Sequence, residues 1–175
     1  MVWIDEPIET GRLRLRSFRS SDQPTILRLL ADPEVRRYLG GPVDDDHLEA
    51  ARTATVGERW GVFCVAESVS DVAIGGCSFD RWRGVLELTY EMLPEYWGRG
   101  LAAEAVAAAL GWMWTNTDDD VVVAVTQTAN LASRRLLERL GFEADLEFEE
   151  FGAAQSQLRL CRPAGVSRDG GGSRR

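Results

Sequence analysis

The feature that most constrains this chain is a pair of glycines around one arginine, placed directly before an alanine-rich helix in the segment PEYWGRGLAAEAVAAALGWMW at 94–114. Ordered glycine is entropically costly, so Gly98 and Gly100 indicate a turn that needs bare backbone. The first four backbone N–H groups of a helix have no intrahelical partner and lie at the positive end of its dipole. The segment therefore predicts a loop that can bind a phosphate or another anion before a helix at 101–115.

Two common phosphate-binding motifs do not fit this loop. A P-loop requires Gly-Lys-Ser or Gly-Lys-Thr after four intervening residues, and the chain contains neither sequence. A dinucleotide-binding domain places its glycine-rich turn after the first strand of a βαβ unit, whereas this loop follows the fourth predicted strand, at 85–93. A helix start with permissive glycines and no ligand stays open as the alternative.

Alternating apolar residues, helical periodicity and turn residues predict one strand, two helices, three strands, a helix, a strand, a helix and two closing strands. The strands are predicted at 11–18, 61–68, 72–82, 85–93, 121–127, 142–151 and 155–161, and the helices at 20–32, 44–60, 101–115 and 130–141, with a helical turn at 33–39. This order predicts an α+β domain with one mixed sheet and helices on both of its faces.

The length and the composition predict a single domain with a short tail. A chain of 175 residues suits one domain with one core, which we place at 8–162. The remaining segment, 163–175, has almost nothing apolar to bury, so we expect it to be disordered.

Charge, hydropathy and cysteine usage exclude several classes of protein. A net charge of −8 argues against binding to nucleic acid and suits a cationic or amine-bearing substrate. The longest apolar stretch is too short to span a bilayer, and no signal peptide is visible, so we expect a cytoplasmic protein.

Cys64, Cys77 and Cys161 are odd in number and widely spaced, which predicts buried free thiols. The single His47 argues against a histidine-based metal site or a Ser-His triad.

Two segments, ELTYEMLPEYWGRGLAAEAV at 87–106 and NLASRRLLERLGF at 130–142, together resemble the GNAT superfamily of N-acetyltransferases. The similarity is closest to the ribosomal-protein N-terminal acetyltransferase (RimJ/RimL-type) branch. The first segment matches the acetyl-CoA loop of the superfamily: an Arg or Gln, two variable residues, Gly, one variable residue, and Gly or Ala. Gly100 and Ala102 match this pattern, whereas Trp97 departs from its Arg or Gln. The second segment matches the Asn-x-x-Ser and Gly-Phe helix of the branch.

The resemblance covers 8–162 and is supported by IETGRLRLRSF at 8–18 and DPEVRRYLG at 32–40. It implies a three-layer α/β/α domain around a single mixed, mostly antiparallel sheet of about seven strands. It also implies that the sheet is splayed between its fourth and fifth strands, which are the segments 85–93 and 121–127.

The resemblance implies acetyl-CoA as co-substrate, and no metal. The diphosphate would bind the amides of the glycine loop, and the pantetheine arm would pair with the exposed end of the fourth strand. Independently of the resemblance, Arg99 and Arg134 are candidates to add positive charge at the loop. The residues implied to contact the cofactor are Met92, Leu93, Gly98, Arg99, Gly100, Leu101, Ala102, Ala103, Asn130 and Ser133.

The implied reaction is direct attack of a primary amine, on a protein N-terminus or a small molecule, on the thioester, without a covalent enzyme intermediate. A base must help to deprotonate the amine, whose pKa lies near 8 to 10. We predict Glu91 or Glu150 in this role and keep Glu87 and Glu149 as alternatives, while each of them can also be a solvated surface acid.

Many GNAT enzymes protonate the leaving thiolate with a tyrosine seven residues after the asparagine, where this chain has Leu137. In the resembled branch a serine takes this role, and Ser133 stands at its position. The alternative for Ser133 is a hydroxyl bonded to a backbone carbonyl of its own helix. The missing tyrosine leaves a second function open, a catalytically weak acyl-CoA sensor, and a homodimer also stays open.

Overall fold

The computed structural model describes residues 6–54 and 56–165. Eight strands form one sheet in the order β1-β2-β3-β4-β5-β6-β8-β7. The strands are β1 Ile8–Glu9, β2 Leu13–Arg16, β3 Val62–Glu67, β4 Ala73–Trp82, β5 Val85–Met92, β6 Val121–Gln127, β7 Glu143–Glu150 and β8 Ala153–Cys161. The helices are α1 Gln23–Ala31, α2 Asp45–Thr53, α3 Leu101–Asn116 and α4 Leu131–Arg139, with 3-10 turns at Ser20–Asp22, Val35–Tyr38 and Pro94–Tyr96.

The predicted fold class and element order are confirmed, with one extra strand. The sheet has eight strands rather than about seven, because the prediction missed β1, whose two residues are too few to show an alternating pattern. Helix α2 ends at Thr53 instead of 60, since the sequence that follows is rich in Thr, Val and Gly, which are weak helix formers.

A break in pairing between β5 and β6 divides the sheet. All other neighbouring strands are antiparallel, and β5 pairs with β4 along its whole length. Strands β5 and β6 are parallel and pair only at Leu86↔Val122 and Glu87↔Val123. Beyond these two pairs the strands separate, which agrees with the splay that the resemblance implied, and their C-terminal halves border an open gap.

The two faces of the sheet are packed by different helices. Side chains alternate between the faces, so Phe63 belongs to the larger cluster and Cys64 to the smaller one. The larger cluster contains buried residues of α3 and α4, including Val106 and Leu137. On the other face, Thr25 of α1 donates a hydrogen bond of 3.1 Å to the Ala73 carbonyl. The helices therefore form outer layers around a central sheet, as predicted.

A buried ion-pair network joins the end of β2 to the 3-10 turn that follows it and to the turn between β3 and β4. The guanidinium of Arg16 is 4% exposed and donates two bonds, of 2.7 and 3.1 Å, to the Asp22 carboxylate. Its Nε donates to Asp71 Oδ1 at 2.9 Å, and Arg19 also pairs with Asp71. Partial burial raises the pKa of Asp71, but its bonds to the two arginines outweigh this effect and lower the pKa to about 2. Both carboxylates therefore remain ionised and bonded at neutral pH.

The three thiols are free, but only two of them are buried as predicted. Burial raises the pKa of Cys64 and of Cys77 to about 12, so both are inert thiols at neutral pH. The prediction that Cys161 is buried is wrong, because this residue ends β8 and is exposed there.

The predicted disordered tail, 163–175, lies outside the described residues except for 163–165. Among residues 6–54 and 56–165, no helix is long and apolar enough to cross a membrane. In the same part of the chain, no group of three or more His, Cys, Asp or Glu side chains is arranged to hold a metal ion.

We predict that Arg16→Met lowers the free energy of unfolding by about 3–5 kcal/mol, because it leaves Asp22 as a buried carboxylate without a cation. The measurement is urea unfolding followed by circular dichroism. The matched control is Arg28→Met, since Arg28 pairs with Glu95 while both side chains are about half exposed, at 49% and 48%. The control should lose less than about 1 kcal/mol. Equal losses in the two variants would show that the network does not stabilise the fold.

Candidate functional site

The glycine loop enters α3 in a backbone conformation that glycine adopts most easily. Gly98 has a φ of +70° and Gly100, the N-cap of α3, has a φ of +74°. No side chain of residues 6–54 or 56–165 caps the helix at Gly100. A Cβ added at Gly98 would have no atom of these residues within 4 Å, so this part of the chain leaves the outer side of the loop open.

The start of α3 presents a run of backbone donors. Within the described residues, no N–H group from 98 to 103 donates a hydrogen bond, and the first one that does is that of Glu104, to the Gly100 carbonyl at 3.2 Å. Residues 97–100 are exposed. These free N–H groups lie at the positive end of a 16-residue helix, which is the arrangement that binds phosphate groups.

A carboxylate in the first turn of α3 fixes this helix end to the turn between β1 and β2. Glu104 accepts bonds from Thr10 Oγ1 at 2.6 Å, from the Arg12 backbone N–H at 2.9 Å and from Arg12 Nε at 2.7 Å. Arg12 Nη1 also donates to the Arg99 carbonyl at 2.9 Å. Burial raises the pKa of Glu104, but the bonds from Thr10 and Arg12 outweigh it and lower the pKa below the ordinary value.

Sequence reasoning missed both Arg12 and Glu104. Arg12 lies in the segment that supported the family resemblance, and Glu104 stands four residues after Gly100. Their contact joins residues 92 apart in the chain, so no local spacing could predict it.

The end of β5 exposes backbone toward the gap. The Leu93 N–H donates to the Ile74 carbonyl at 2.9 Å, on the β4 side, and the Leu93 carbonyl accepts from the Tyr96 N–H at 3.0 Å. Because successive residues of a strand direct their backbone groups to opposite neighbours, the amide and the carbonyl of Met92 point toward β6. Trp97 Nε1 donates to that carbonyl at 2.7 Å and so holds the loop against β5. Of the two predicted backbone contacts, Met92 therefore directs an N–H group without a partner in the described residues toward the gap, while its carbonyl is bonded to Trp97. Both backbone groups of Leu93 already have partners.

The start of α4 is bonded to the strands on both sides of the gap. Asn130, the N-cap, accepts from the Ser133 N–H at 3.2 Å and donates to Thr126 Oγ1 of β6 at 3.1 Å. Ser133 Oγ lies 2.8 Å from the phenolic oxygen of Tyr90 on β5. The Ser133 hydroxyl is thus bonded to Tyr90, and no bond from it to a backbone carbonyl occurs among the described residues.

Tyr90 is a site residue that the sequence analysis missed. Its position in the alternating pattern of β5 places it among the apolar residues of the core face. It is half-buried against the larger core cluster, and this burial raises its pKa to about 12. The position predicted to lack the acid, Leu137, is fully buried in the same cluster.

The two predicted arginines lie near the ends of different helices. Arg99 holds its guanidinium 5.6 Å from the ring centre of Tyr96, beside the glycine loop. Arg134 Nη1 donates to the Thr128 carbonyl at 3.3 Å, while its Nε is buried without a partner in the described structure. No contact among the described residues joins the two side chains.

The structure separates the two predicted bases. Glu91 is half-buried on the face opposite to Tyr90, and its burial raises its pKa, an effect opposed by Arg36. Glu150 pairs with Arg83 at 3.7 Å. Burial raises the pKa of Glu87, and the nearby charges of Asp80 and Glu150 raise it further. Four residues along a strand span about 13 Å, so the Glu87 and Glu150 pair is remote from Glu91. Glu149 is exposed on β7.

Comparisons with known proteins agree on one family. The family model described as an acetyltransferase (GNAT) domain matches residues 12–143. The uncharacterized N-acetyltransferase p20 of Bacillus licheniformis is 26% identical over 162 residues, which cover 87% of this chain and 91% of p20.

Two solved structures share the fold. The first is spermidine N-acetyltransferase from Vibrio cholerae in complex with CoA and spermine, with a TM-score of 0.72 and 20% identity, covering 87% of this chain and 96% of that one. The second is the acetyltransferase from Salmonella typhimurium that modifies the N-terminal serine of ribosomal protein L7/L12, with a TM-score of 0.69 and 15% identity, covering 90% of this chain and 100% of that one.

Proposed function

Because the chain belongs to the acetyltransferase (GNAT) family, we propose that it moves the acetyl group of acetyl-CoA to a primary amine of a protein N-terminus or a small molecule. The observation that carries this proposal is the gap between β5 and β6, which opens beside the free amides at the start of α3. A diphosphate needs such amides, and an extended amide-bearing arm needs an unpaired strand.

In the proposed complex the cofactor lies along these free backbone groups. The diphosphate of acetyl-CoA binds the N–H groups of 98–103, with the guanidinium groups of Arg12 and Arg99 beside it. The pantetheine arm enters the gap and pairs with the Met92 amide as an added strand would. Asn130 keeps one N–H and one lone pair for the arm after its bonds to Thr126 and Ser133.

We assign the role of base to Glu91 rather than to Glu150. Glu91 precedes Met92 at the end of β5, where the acetyl group would lie, and its raised pKa suits it to take a proton from the amine. Glu150 is already paired with Arg83 and lies toward the other end of β5, beside Glu87.

The proposed reaction is direct attack of the amine on the thioester. The amine nitrogen bonds to the acetyl carbon while its proton passes to Glu91, directly or through a water. The carbon–sulfur bond breaks, and its electron pair remains on the sulfur of CoA. The hydroxyl of Ser133 donates a hydrogen bond to this sulfur, which later takes a proton from solvent. Leu137 cannot supply that hydrogen bond, since its side chain is a buried hydrocarbon.

The charge of the chain supports an amine as the acceptor. Glu87, Asp80 and Glu150 lie close together beside β5, and the whole chain carries a net charge of −8. One structural neighbour binds spermine and another modifies a serine N-terminus, so both a polyamine and a peptide fit within the fold. The resemblance of the sequence motifs to the RimJ/RimL-type branch favours the peptide.

The replacement of the usual acid by Leu137 supports one alternative, a catalytically weak sensor of acyl-CoA. The deciding experiment combines acetyl-CoA with peptides bearing different N-termini, with spermidine and with simple primary amines, and measures release of the CoA thiol. We expect thiol release with at least one class. A rise in melting temperature with acetyl-CoA but not with ATP, without thiol release for any amine, would favour the sensor.

We predict that Gly100→Asp weakens acetyl-CoA binding by about tenfold or more compared with Gly100→Asn. Both side chains enter the left-handed conformation at a φ of +74° with a similar loss of about 1 kcal/mol, and only Asp adds a negative charge beside the diphosphate. Isothermal titration measures both affinities, and urea unfolding checks that the two variants are equally stable. Equal affinities would contradict the assignment of the loop.

We predict that activity falls with decreasing pH through a group whose pKa lies above about 4.3, the ordinary value for Glu. Burial raises the pKa of Glu91, and the reaction needs its carboxylate, so protonation at low pH removes the base. The measurement is the pH profile of kcat/KM, corrected for the protonated fraction of the free amine. Glu91→Gln should lower activity by about a hundredfold and abolish this limb, whereas Glu150→Gln should retain it. A limb that persists in Glu91→Gln would exclude Glu91 as the base.

A further inference from the structure

We propose that Tyr90 is a positioning residue for acetyl transfer, which holds the Ser133 hydroxyl with its hydrogen directed toward the sulfur of acetyl-CoA. The proposal rests on the proposed function and assigns a task to a residue that is not among the site residues predicted from the sequence. Its basis is the 2.8 Å contact between Tyr90 Oη and Ser133 Oγ, at the border of the gap.

The relative acidity of the two hydroxyls sets the direction of this hydrogen bond. Tyr90 Oη has no other hydrogen-bond partner among the described residues, and its side chain is half-buried against the core. In either direction, one of the two hydroxyl hydrogens is left without an acceptor in this part of the chain. A phenol is more acidic than an alkyl alcohol and is therefore the stronger donor of the two. Tyr90 therefore donates, Ser133 Oγ accepts, and the Ser133 hydrogen is free for another acceptor.

The surrounding bonds restrict where Ser133 can point. Its backbone N–H is bonded to Asn130, whose amide is bonded to Thr126, so the residue is fixed at the start of α4 from the β6 side. Tyr90 fixes it from the β5 side. The Ser133 hydroxyl is thus held between the two strands that border the gap, where the pantetheine arm and its thioester would lie.

The phenol stays protonated while this bond acts. Burial raises the pKa of Tyr90 to about 12, so it does not give its proton to a thiolate, which is a weaker base than such a phenolate. The phenol polarises Ser133, and Ser133 donates a hydrogen bond to the charge that forms on sulfur as the carbon–sulfur bond breaks. Such a donor matters more in the transition state than in the ground state, because the charge on sulfur exists only after the bond begins to break.

The test is a double-mutant cycle of Tyr90→Phe and Ser133→Ala, with kcat and the KM for acetyl-CoA measured for each variant. Tyr90→Phe should lower kcat by about tenfold, the effect of one hydrogen bond of ordinary strength, and change KM by less than about twofold. Because Tyr90 acts only through Ser133, the double variant should be no slower than Ser133→Ala alone. A merely structural role would give additive losses and would change KM and the urea midpoint together.

The matched control is Ser156→Ala. Ser156 lies on β8, and its Oγ is 2.8 Å from Thr128 Oγ1, which is the same distance as in the pair of Tyr90 and Ser133. The variant therefore removes a comparable bond between two hydroxyls. Its kcat should equal that of the wild type. An unchanged kcat in Tyr90→Phe, or additive losses in the cycle, would overturn the role of Tyr90 while leaving the proposed function intact. A wild type that releases no thiol with any amine would overturn both.

Discussion

The interaction on which the rest of this structure depends is the parallel pairing of β5 with β6, which stops after two residue pairs. A sheet normally satisfies its backbone groups by pairing them, so strands that separate need support from their other neighbours. Strand β5 is paired with β4 from Gly75↔Met92 to Trp82↔Val85, and β6 is paired with β8 along its whole length. Each half of the sheet is therefore complete without the other. The gap can persist with unpaired backbone, and this backbone is what an extended cofactor arm can bind.

The alternation of side chains along β5 divides the chemistry between the two faces of the sheet. Tyr90 and Met92 belong to the face covered by α3 and α4, whereas Glu91 belongs to the opposite face, near Arg36. A thioester held in the gap would be accessible from both faces. The amine would approach from the side of Glu91, and the sulfur would leave toward Ser133 on the other side. Three consecutive residues of one strand thus contribute a base, a backbone contact and a positioning hydroxyl in the proposed mechanism.

The sequence predicted the parts of this architecture that are local in the chain. The period of two in β5, the glycines before α3 and the capping Asn130 of α4 each signal a structure within a few residues. The contacts that complete the site are not local: Thr10 bonds to Glu104 across 94 residues, and Tyr90 bonds to Ser133 across 43. Tyr90 has the spacing of a core residue, and only the packing of α4 against β5 shows that its hydroxyl has a polar partner. For the same reason, the sequence could not distinguish Glu91 from Glu150 as the base.

The chain carries a net charge of −8, yet the proposed cofactor is itself a polyanion. Net charge acts over long distances and is screened by salt, whereas N–H groups in contact with a phosphate act at short range. Glu104, in the first turn of α3, accepts its bonds from Thr10 and Arg12, so its charge is offset by a guanidinium. Arg12 also bonds to the Arg99 carbonyl, which places this cation beside the loop. The local field at the start of α3 is therefore positive although the chain as a whole is negative. Other acids, such as Glu87 and Glu150, lie beside the opposite end of β5, away from this loop.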